Sequence, residues 1–126
     1  MHIEKEVIII LEYKVIFHID ELNKWNLVLK NTSNLLDAID TNNFNIEILA
    51  NSEAVKAYVL NKDTESDMKN TMKTLSDRGI KFVACNNALK AFGIDQDDLN
   101  PFVQTVPAGV LELVTKQMEG YSYIKP

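Results

Sequence analysis

Short apolar runs and longer helical stripes of apolar residues alternate along this chain. The run Tyr13–Ile19 predicts a first β-strand. The stripe that follows has the i, i+3, i+4, i+7 spacing of an amphipathic helix. It consists of Leu22, Trp25, Val28, Leu29, Thr32, Leu35, Leu36 and Ile39. One face of this helix is therefore expected to pack on a sheet.

The alternation of strands and helices continues to the end of the chain. Further strands are predicted at residues 45–50, 80–84, 103–106 and 121–124. The helices between them are predicted to begin near Glu53, Thr64, Asn86 and Pro107. Strands that alternate with helices over short connections predict a three-layer α/β/α sandwich with a mainly parallel, five-stranded sheet.

The last predicted helix carries more apolar residues than one buried stripe needs. Pro107 suits the first position of a helix. The side of this helix expected to be buried comprises Val110, Leu111, Val114 and Met118. Leu113 lies off that stripe, which indicates either a contact between subunits or a wide core-facing side.

The length of 126 residues suits one compact domain. Residues 13–126 complete the α/β pattern, so residues 1–12 are interpreted as an N-terminal extension. The polar stretch 61–67 carries nothing that could build a core, and it is predicted to be a surface loop.

Net charge and cysteine content limit the partners and the cellular compartment that the sequence allows. The formal net charge of −5 would repel a phosphate backbone or an anionic bilayer, so nucleic acid and membrane partners are not expected. The apolar run at 7–11 is too short to span a bilayer, and its acidic neighbours do not fit a signal peptide. A single cysteine without an export signal favours the reducing cytoplasm.

No cofactor is predicted from the sequence. The turn after the first strand lacks the glycines of a phosphate-binding loop. One cysteine and two histidines cannot provide the ligand pairs of a zinc site. The acidic segment 95–98 lacks the glycine and the terminal glutamate of a calcium loop.

Cys85 is the strongest candidate for chemistry, because it directly follows the predicted strand at 80–84. Ligands and reactive groups collect at the carboxyl ends of parallel strands. Asn86 and Asn87 begin the next helix, and N–H groups at a helix start stabilise a thiolate over a thiol. The alternative is a buried structural thiol, since free cysteine is among the most buried residue types.

Two further segments are candidates for the same edge of the sheet. His18 lies near the end of the first strand, where it could reach Cys85 if the two strands were neighbours. Its alternative role is that of a core histidine with a capped polar tip. Pro107 and Gly109 flank a helix start whose free N–H groups could hold an anion; alternatively, Gly109 only allows close packing on the sheet.

Several motifs, taken in order, resemble the DsrE/DsrF-like family, and the small stand-alone branch of it most. The resemblance runs from about residue 13 to the carboxyl terminus. It rests on the segments 15–21 (VIFHIDE), 84–89 (ACNNAL), 98–99 (DL), 106–110 (VPAGV) and 117–126 (QMEGYSYIKP). Residues 1–12 have no counterpart in the family pattern.

The resemblance implies a three-layer α/β protein that assembles as a trimer or hexamer. It also implies cytoplasmic sulfur relay, in which a cysteine after a central strand accepts sulfane sulfur as a persulfide and passes it on. Cys85 matches that cysteine, and His18 and Gly109 match recurring positions near the same edge. The persulfide donor and the thiol acceptor would be other proteins.

Three functions follow from these observations. The leading hypothesis is a sulfur carrier or sulfurtransferase-like protein that uses Cys85, with Asn86 and Asn87 supplying N–H groups to the charged sulfur. The alternative is a non-catalytic oligomeric module that binds a small anion or metabolite at the edge formed by Cys85, His18 and 107–109. A third hypothesis is a redox sensor that forms a sulfenic acid at Cys85.

Overall fold

The computed structural model describes residues 11–60 and 66–126, within which five parallel strands form one sheet. The strands are β1 (Tyr13–Ile19), β2 (Phe44–Ala50), β3 (Lys81–Cys85), β4 (Val103–Val106) and β5 (Ser122–Ile124). The helices are α1 (Trp25–Ala38), α2 (Ser66–Asp77), α3 (Asn86–Ala91) and α4 (Gly109–Met118). Short 3-10 helices span Leu22–Lys24, Ser52–Tyr58 and Gln96–Asp98. These elements confirm the predicted α/β sandwich.

The order of the strands explains how the helices are divided between the two faces of the sheet. The order is β4-β3-β2-β1-β5, so the chain adds β2, β3 and β4 in one direction and then returns to place β5 beside β1. Parallel crossovers are right-handed, and reversing the direction of travel moves the connecting helix to the opposite face. Accordingly, α1, α2 and α3 share one face, and α4 covers the other.

The face beneath α1, α2 and α3 holds the larger core. Apolar residues at alternate positions of β1, β2 and β3 point to this face. They pack against the helix residues Trp25, Val28, Leu29, Leu36, Met72, Leu75 and Leu89. The predicted stripe of α1 is confirmed over Trp25–Leu36, whereas Leu22 lies in the preceding 3-10 helix and is exposed.

Aromatic rings fix the 3-10 helix that follows β2. Tyr58 packs edge-on between Trp25 and Phe82, with ring centroids 5.1 and 6.2 Å away. The Trp25 indole N–H donates to the Ala54 carbonyl oxygen at 2.9 Å. The Tyr58 hydroxyl donates to the Ile48 carbonyl oxygen at 3.1 Å. Because these polar groups are paired inside the core, the segment after β2 has one fixed position.

The prediction for the buried side of α4 is wrong. Leu113 is buried and packs on Ile16, Leu49 and Val83 of the sheet. The four residues expected in the core are exposed by 50–82%. They are Val110, Leu111, Val114 and Met118. They form a contiguous strip on the side of the helix away from the sheet, named here the α4 outer strip.

Other predicted boundaries shift by a few residues. The last helix begins at Gly109, so Pro107 precedes it and is not its first residue. Of the proposed N-terminal extension at 1–12, residues 1–10 lie outside the described residues. The predicted loop at 61–67 lies outside them over 61–65, and its last two residues belong to α2. Among the described residues, no helix is both long enough and apolar enough to cross a membrane.

Candidate functional site at the carboxyl edge of the sheet

The connections after β3 and β4 leave the sheet on opposite sides. The chain passes from Cys85 into α3 on one face, and from Val106 towards α4 on the other. These two residues are paired in the sheet register. A crevice opens where neighbouring parallel strands send their connections to opposite faces, and ligands bind there in open α/β sheets. Cys85 therefore lies at the topological switch point of this sheet.

The thiol of Cys85 is buried and accepts a hydrogen bond from the start of α4. Its relative exposure is 7%. The Gly109 backbone N–H donates to Cys85 Sγ at 3.2 Å. The absence of a side chain at position 109 permits this approach, because a Cβ there would lie 3.2 Å from Cys85 Cβ and 3.4 Å from Asn51 Cβ. The helix start thus directs an N–H group at the sulfur.

Asn51 lies between the strand end that carries the thiol and the strand that carries His18. It directly follows β2, and β2 lies between β1 and β3 in the sheet. His18 and Cys85 are therefore not on neighbouring strands, which was the condition for direct contact between them. Instead, Asn51 Oδ1 lies 3.0 Å from His18 Nε2. An amide oxygen only accepts hydrogen bonds, so His18 Nε2 carries the proton in this arrangement.

Tyr123 completes the row on β5. Its hydroxyl oxygen lies 2.6 Å from His18 Nδ1. When the neutral imidazole carries its proton on Nε2, Nδ1 accepts, and the Tyr123 hydroxyl donates. Both ring nitrogens of His18 are therefore engaged, which fixes the orientation of the ring. Cys85, His18 and Tyr123 lie on β3, β1 and β5, and Asn51 directly follows β2. The four residues thus form one row across four successive strands.

Asn51 is followed by a residue in a strained backbone conformation. Ser52 has a φ of 51°, in the left-handed region that residues with a Cβ rarely adopt. The Asn51 N–H donates to the Ile19 carbonyl oxygen at 3.0 Å, which holds the backbone at the end of β1. Strained residues concentrate at functional sites, where surrounding structure holds them in place.

The remaining predicted site residues take other positions. Asn86 Oδ1 accepts a hydrogen bond from Gln96 Nε2 at 3.0 Å, and Asn87 is exposed. The Cys85 side chain accepts no hydrogen bond from the start of α3, so Gly109 supplies the N–H group that had been expected from Asn86 and Asn87. Pro107 is exposed ahead of α4.

The sequence reasoning overlooked Asn51 and Tyr123 as site residues. Asn51 follows a buried strand just as Cys85 does, and that position was the available signal. Tyr123 was placed in the last strand without a role. Its alternation with Ile124 and the parallel pairing of β5 with β1 put it on the face of His18.

A buried carboxyl group lies further along the same face, beneath α4. Glu47 on β2 is 4% exposed, and its Oε2 atom has no hydrogen-bond partner within the described residues. Burial raises the pKa of Glu47 to about 8, and the neighbouring Glu112 carboxylate adds to this effect. The positive charges of Lys116 and Lys81 lower the pKa of Glu47, but by less. Glu47 is thus largely protonated at neutral pH, which limits the cost of burying it.

No metal centre is evident in the part of the chain that the structure describes. Within 11–60 and 66–126, no three side chains of His, Cys, Asp or Glu are grouped to hold an ion. The row at the carboxyl edge offers one thiol, one amide, one imidazole and one phenol, from Cys85, Asn51, His18 and Tyr123. Asp20 and Lys125 form an ion pair at the same edge, at 3.1 Å.

Together these features define a small parallel α/β protein with a thiol at the switch point of its sheet. The chain belongs to the DsrE/DsrF-like family, whose model matches residues 26–126. The match includes Asn51, Cys85, Gly109 and Tyr123. No curated protein is similar enough in sequence to match the chain.

Solved structures support the same assignment. The protein of unknown function MTH1491 from Methanobacterium thermoautotrophicum is 33% identical, with a TM-score of 0.81 over 91% of this chain and 100% of that chain. The ychN protein from E. coli is 13% identical, with a TM-score of 0.68 over 90% and 99% of the two chains. BT1422 from Bacteroides thetaiotaomicron is 16% identical, with a TM-score of 0.69 over 90% and 94%. The last two show the shared fold alone.

Proposed function

We propose that this protein is a cytoplasmic sulfur carrier that holds sulfane sulfur as a persulfide on Cys85. The observation that carries the proposal is the hydrogen bond from the Gly109 N–H to Cys85 Sγ, at 3.2 Å. An N–H group at a helix start stabilises negative charge on the sulfur it faces. Membership of a family associated with sulfur relay supports the same assignment.

The transfer step needs no oxidant or cofactor. The Cys85 thiolate attacks the outer sulfur of a donor persulfide, R–S–SH, and a new S–S bond forms on Cys85. The S–S bond of the donor breaks, and its electron pair leaves with R–S⁻, which takes up a proton. The products are Cys85–S–SH and R–SH. An acceptor thiolate then attacks the outer sulfur, and Cys85 leaves as the thiolate.

Intact mass spectrometry tests the carrier proposal directly. After incubation with glutathione persulfide and removal of the reagent, the wild-type protein should gain the mass of one sulfur atom. Cys85→Ser should gain none. If the wild type gains no sulfur, or if Cys85→Ser gains the same adduct, the proposal fails.

A binding module is the second candidate, and the row of Asn51, His18 and Tyr123 favours it. Polar groups that converge beside a helix start could hold a small anion or metabolite without covalent chemistry. Thermal-shift measurements with small anions separate the two functions. Stabilisation that persists in Cys85→Ala would support binding over sulfur transfer.

We also propose that the protein acts as a homo-oligomer, a trimer or hexamer, through the α4 outer strip. Four large apolar side chains are exposed next to one another on this helix. A second copy presents the same uncharged strip, so the net charge of −5 on each chain does not oppose the contact locally. Because α4 begins at the Cys85 site, such an interface would place each thiol close to a subunit boundary.

A further inference from the structure

The hydrogen bonds along the polar row at the carboxyl edge all run in the same direction, from Tyr123 through His18 to Asn51. Tyr123 donates to His18 Nδ1, and His18 Nε2 donates to Asn51 Oδ1 when the hydrogen bonds are assigned as above. The amide oxygen of Asn51 is thereby occupied on the β1 side. The amide nitrogen, Nδ2, is the other end of the same group. Cys85 lies at the end of β3, which flanks β2 on the side opposite β1.

The Asn51 amide nitrogen has no hydrogen-bond partner within 11–60 and 66–126. Asn51 nevertheless lies against the thiol site. The point where a Cβ would stand on Gly109 is 3.4 Å from Asn51 Cβ and 3.5 Å from Cys85 Sγ. The Asn51 side chain therefore lies beside the space next to the sulfur.

A persulfide anion needs a donor beyond the one that the thiol already has. Gly109 N–H is directed at Sγ, which becomes the inner sulfur after transfer. The negative charge of Cys85–S–S⁻ resides mainly on the outer sulfur, one bond further out. Hydrogen bonds to charged groups are worth about 1.5–3 kcal/mol, so a second donor at that atom would shift the transfer equilibrium by about tenfold or more.

We infer that Asn51 Nδ2–H donates to the outer sulfur of the Cys85 persulfide. His18, held by Tyr123, is a positioning residue that turns this end of the amide towards the sulfur. With the amide reversed, an oxygen would face the persulfide and repel its charge. The inference rests on the proposed function and identifies the groups that stabilise the loaded state.

The test measures the equilibrium constant of sulfur transfer. Each protein is equilibrated with fixed ratios of glutathione persulfide to glutathione, and the loaded fraction of Cys85 is read by intact mass. Asn51→Leu keeps the approximate shape of the side chain but removes both amide groups, and it should lower the constant about tenfold. Tyr123→Phe should lower it by a smaller factor, about threefold, because the donor remains but its orientation is no longer fixed.

Two controls separate stabilisation of the outer sulfur from a general structural effect. Tyr121→Phe removes a hydroxyl from a neighbouring tyrosine outside the row and should leave the constant unchanged. The rate at which iodoacetamide alkylates unloaded Cys85 should stay within about twofold of wild type in Asn51→Leu, because the inferred donor acts only on the loaded form.

The outcomes distinguish this inference from the function on which it rests. If the wild-type protein takes up no sulfur, both the carrier function and the role of Asn51 are overturned. A wild type that loads normally, with Asn51→Leu within twofold of it, overturns the role of Asn51 and leaves the carrier intact. A parallel loss of loading and alkylation in Asn51→Leu assigns Asn51 a structural role. If that variant does not fold, an unchanged constant in Tyr123→Phe overturns the inference.

Discussion

The backbone N–H of Gly109 lies 3.2 Å from the sulfur of Cys85 and joins the start of α4 to the end of β3. This contact links two connections that leave the sheet on opposite faces. It depends on a residue without a side chain, since the nearest carbon to a Cβ at position 109 would be Cys85 Cβ at 3.2 Å. Both the packing of α4 and the hydrogen bond to the thiol should therefore respond to the size of residue 109.

Gly109→Ala should destabilise the protein by about 1 kcal/mol. Overpacking in a tight site costs about 1–3 kcal/mol, and the better helix propensity of alanine offsets up to about 1 kcal/mol of this. Urea denaturation gives the change in the free energy of unfolding. Gly109→Val should lower the free energy of unfolding more than Gly109→Ala does, because the valine side chain is larger. An alanine variant as stable as wild type would mean that α4 can shift freely at its start.

Glu47→Gln should change how stability depends on pH. The pKa of Glu47 is about 8 in the folded chain and 4.5 when unperturbed, so the folded state retains a proton that the unfolded state has released. Between these values the unfolded state binds fewer protons, and the free energy of unfolding falls as pH rises. The loss approaches about 1.4 kcal/mol per pH unit and amounts to at most about 4 kcal/mol between pH 5 and 8.

The comparison of wild type with Glu47→Gln isolates this effect. Denaturation at a series of pH values should show the glutamine variant gaining stability relative to wild type as pH rises from 5 to 8. Glu21→Gln is the matched control, since Glu21 is exposed and should show no such trend. If the difference in the free energy of unfolding between wild type and Glu47→Gln stays constant from pH 5 to 8, the pKa of Glu47 is not raised in the folded protein.

Leu113 and Leu111 lie two residues apart on α4 and should respond differently to truncation. Leu113→Ala removes a side chain packed on Ile16, Leu49 and Val83, and it should cost about 2–4 kcal/mol of unfolding free energy. Leu111 is 58% exposed, so Leu111→Ala should change the stability of the monomer by less than about 0.5 kcal/mol.

The α4 outer strip should control the oligomeric state. Leu111→Lys places a charge in the strip and should convert the proposed oligomer to monomers, because an interface core excludes unpaired charge. Light scattering coupled to size-exclusion chromatography gives the mass. Lys90→Glu, an exposed change on α3, is the control and should leave the mass unchanged. A wild-type protein that is monomeric at high concentration would rule out this interface.

The pattern of α1 was sufficient to predict its buried face, and the pattern of α4 was not. In α1, buried apolar residues such as Val28 and Leu29 occupy one side, and the other side is polar except for Leu27. In α4, Gly109 and Leu113 are the buried residues, whereas the four large apolar residues of the outer strip are exposed. A periodicity argument assigns such an apolar strip to the core, because it takes the apolar side of a helix to be the side that faces the sheet.

The candidate site could be predicted only in part, because local sequence does not specify how the strands and helices are arranged in space. Cys85 could be placed at the carboxyl edge from the strand that precedes it. The order of the strands could not be deduced, and that order puts Asn51 between Cys85 and His18. Gly109 as the hydrogen-bond donor likewise depends on α4 crossing to the opposite face, which local sequence does not specify.

Ser52→Gly should stabilise the protein by about 0.5–1 kcal/mol. The φ of 51° at Ser52 costs a residue with a Cβ about 1–2 kcal/mol, whereas glycine adopts it freely. The greater entropy of glycine in the unfolded chain removes part of this gain. Ser52→Ala keeps the Cβ and should stay within about 0.5 kcal/mol of wild type in chemical denaturation. Should glycine be no better than alanine, the strain at this position would be smaller than the backbone angle implies, and Asn51 would owe its position to the hydrogen bonds with His18 and Ile19 alone.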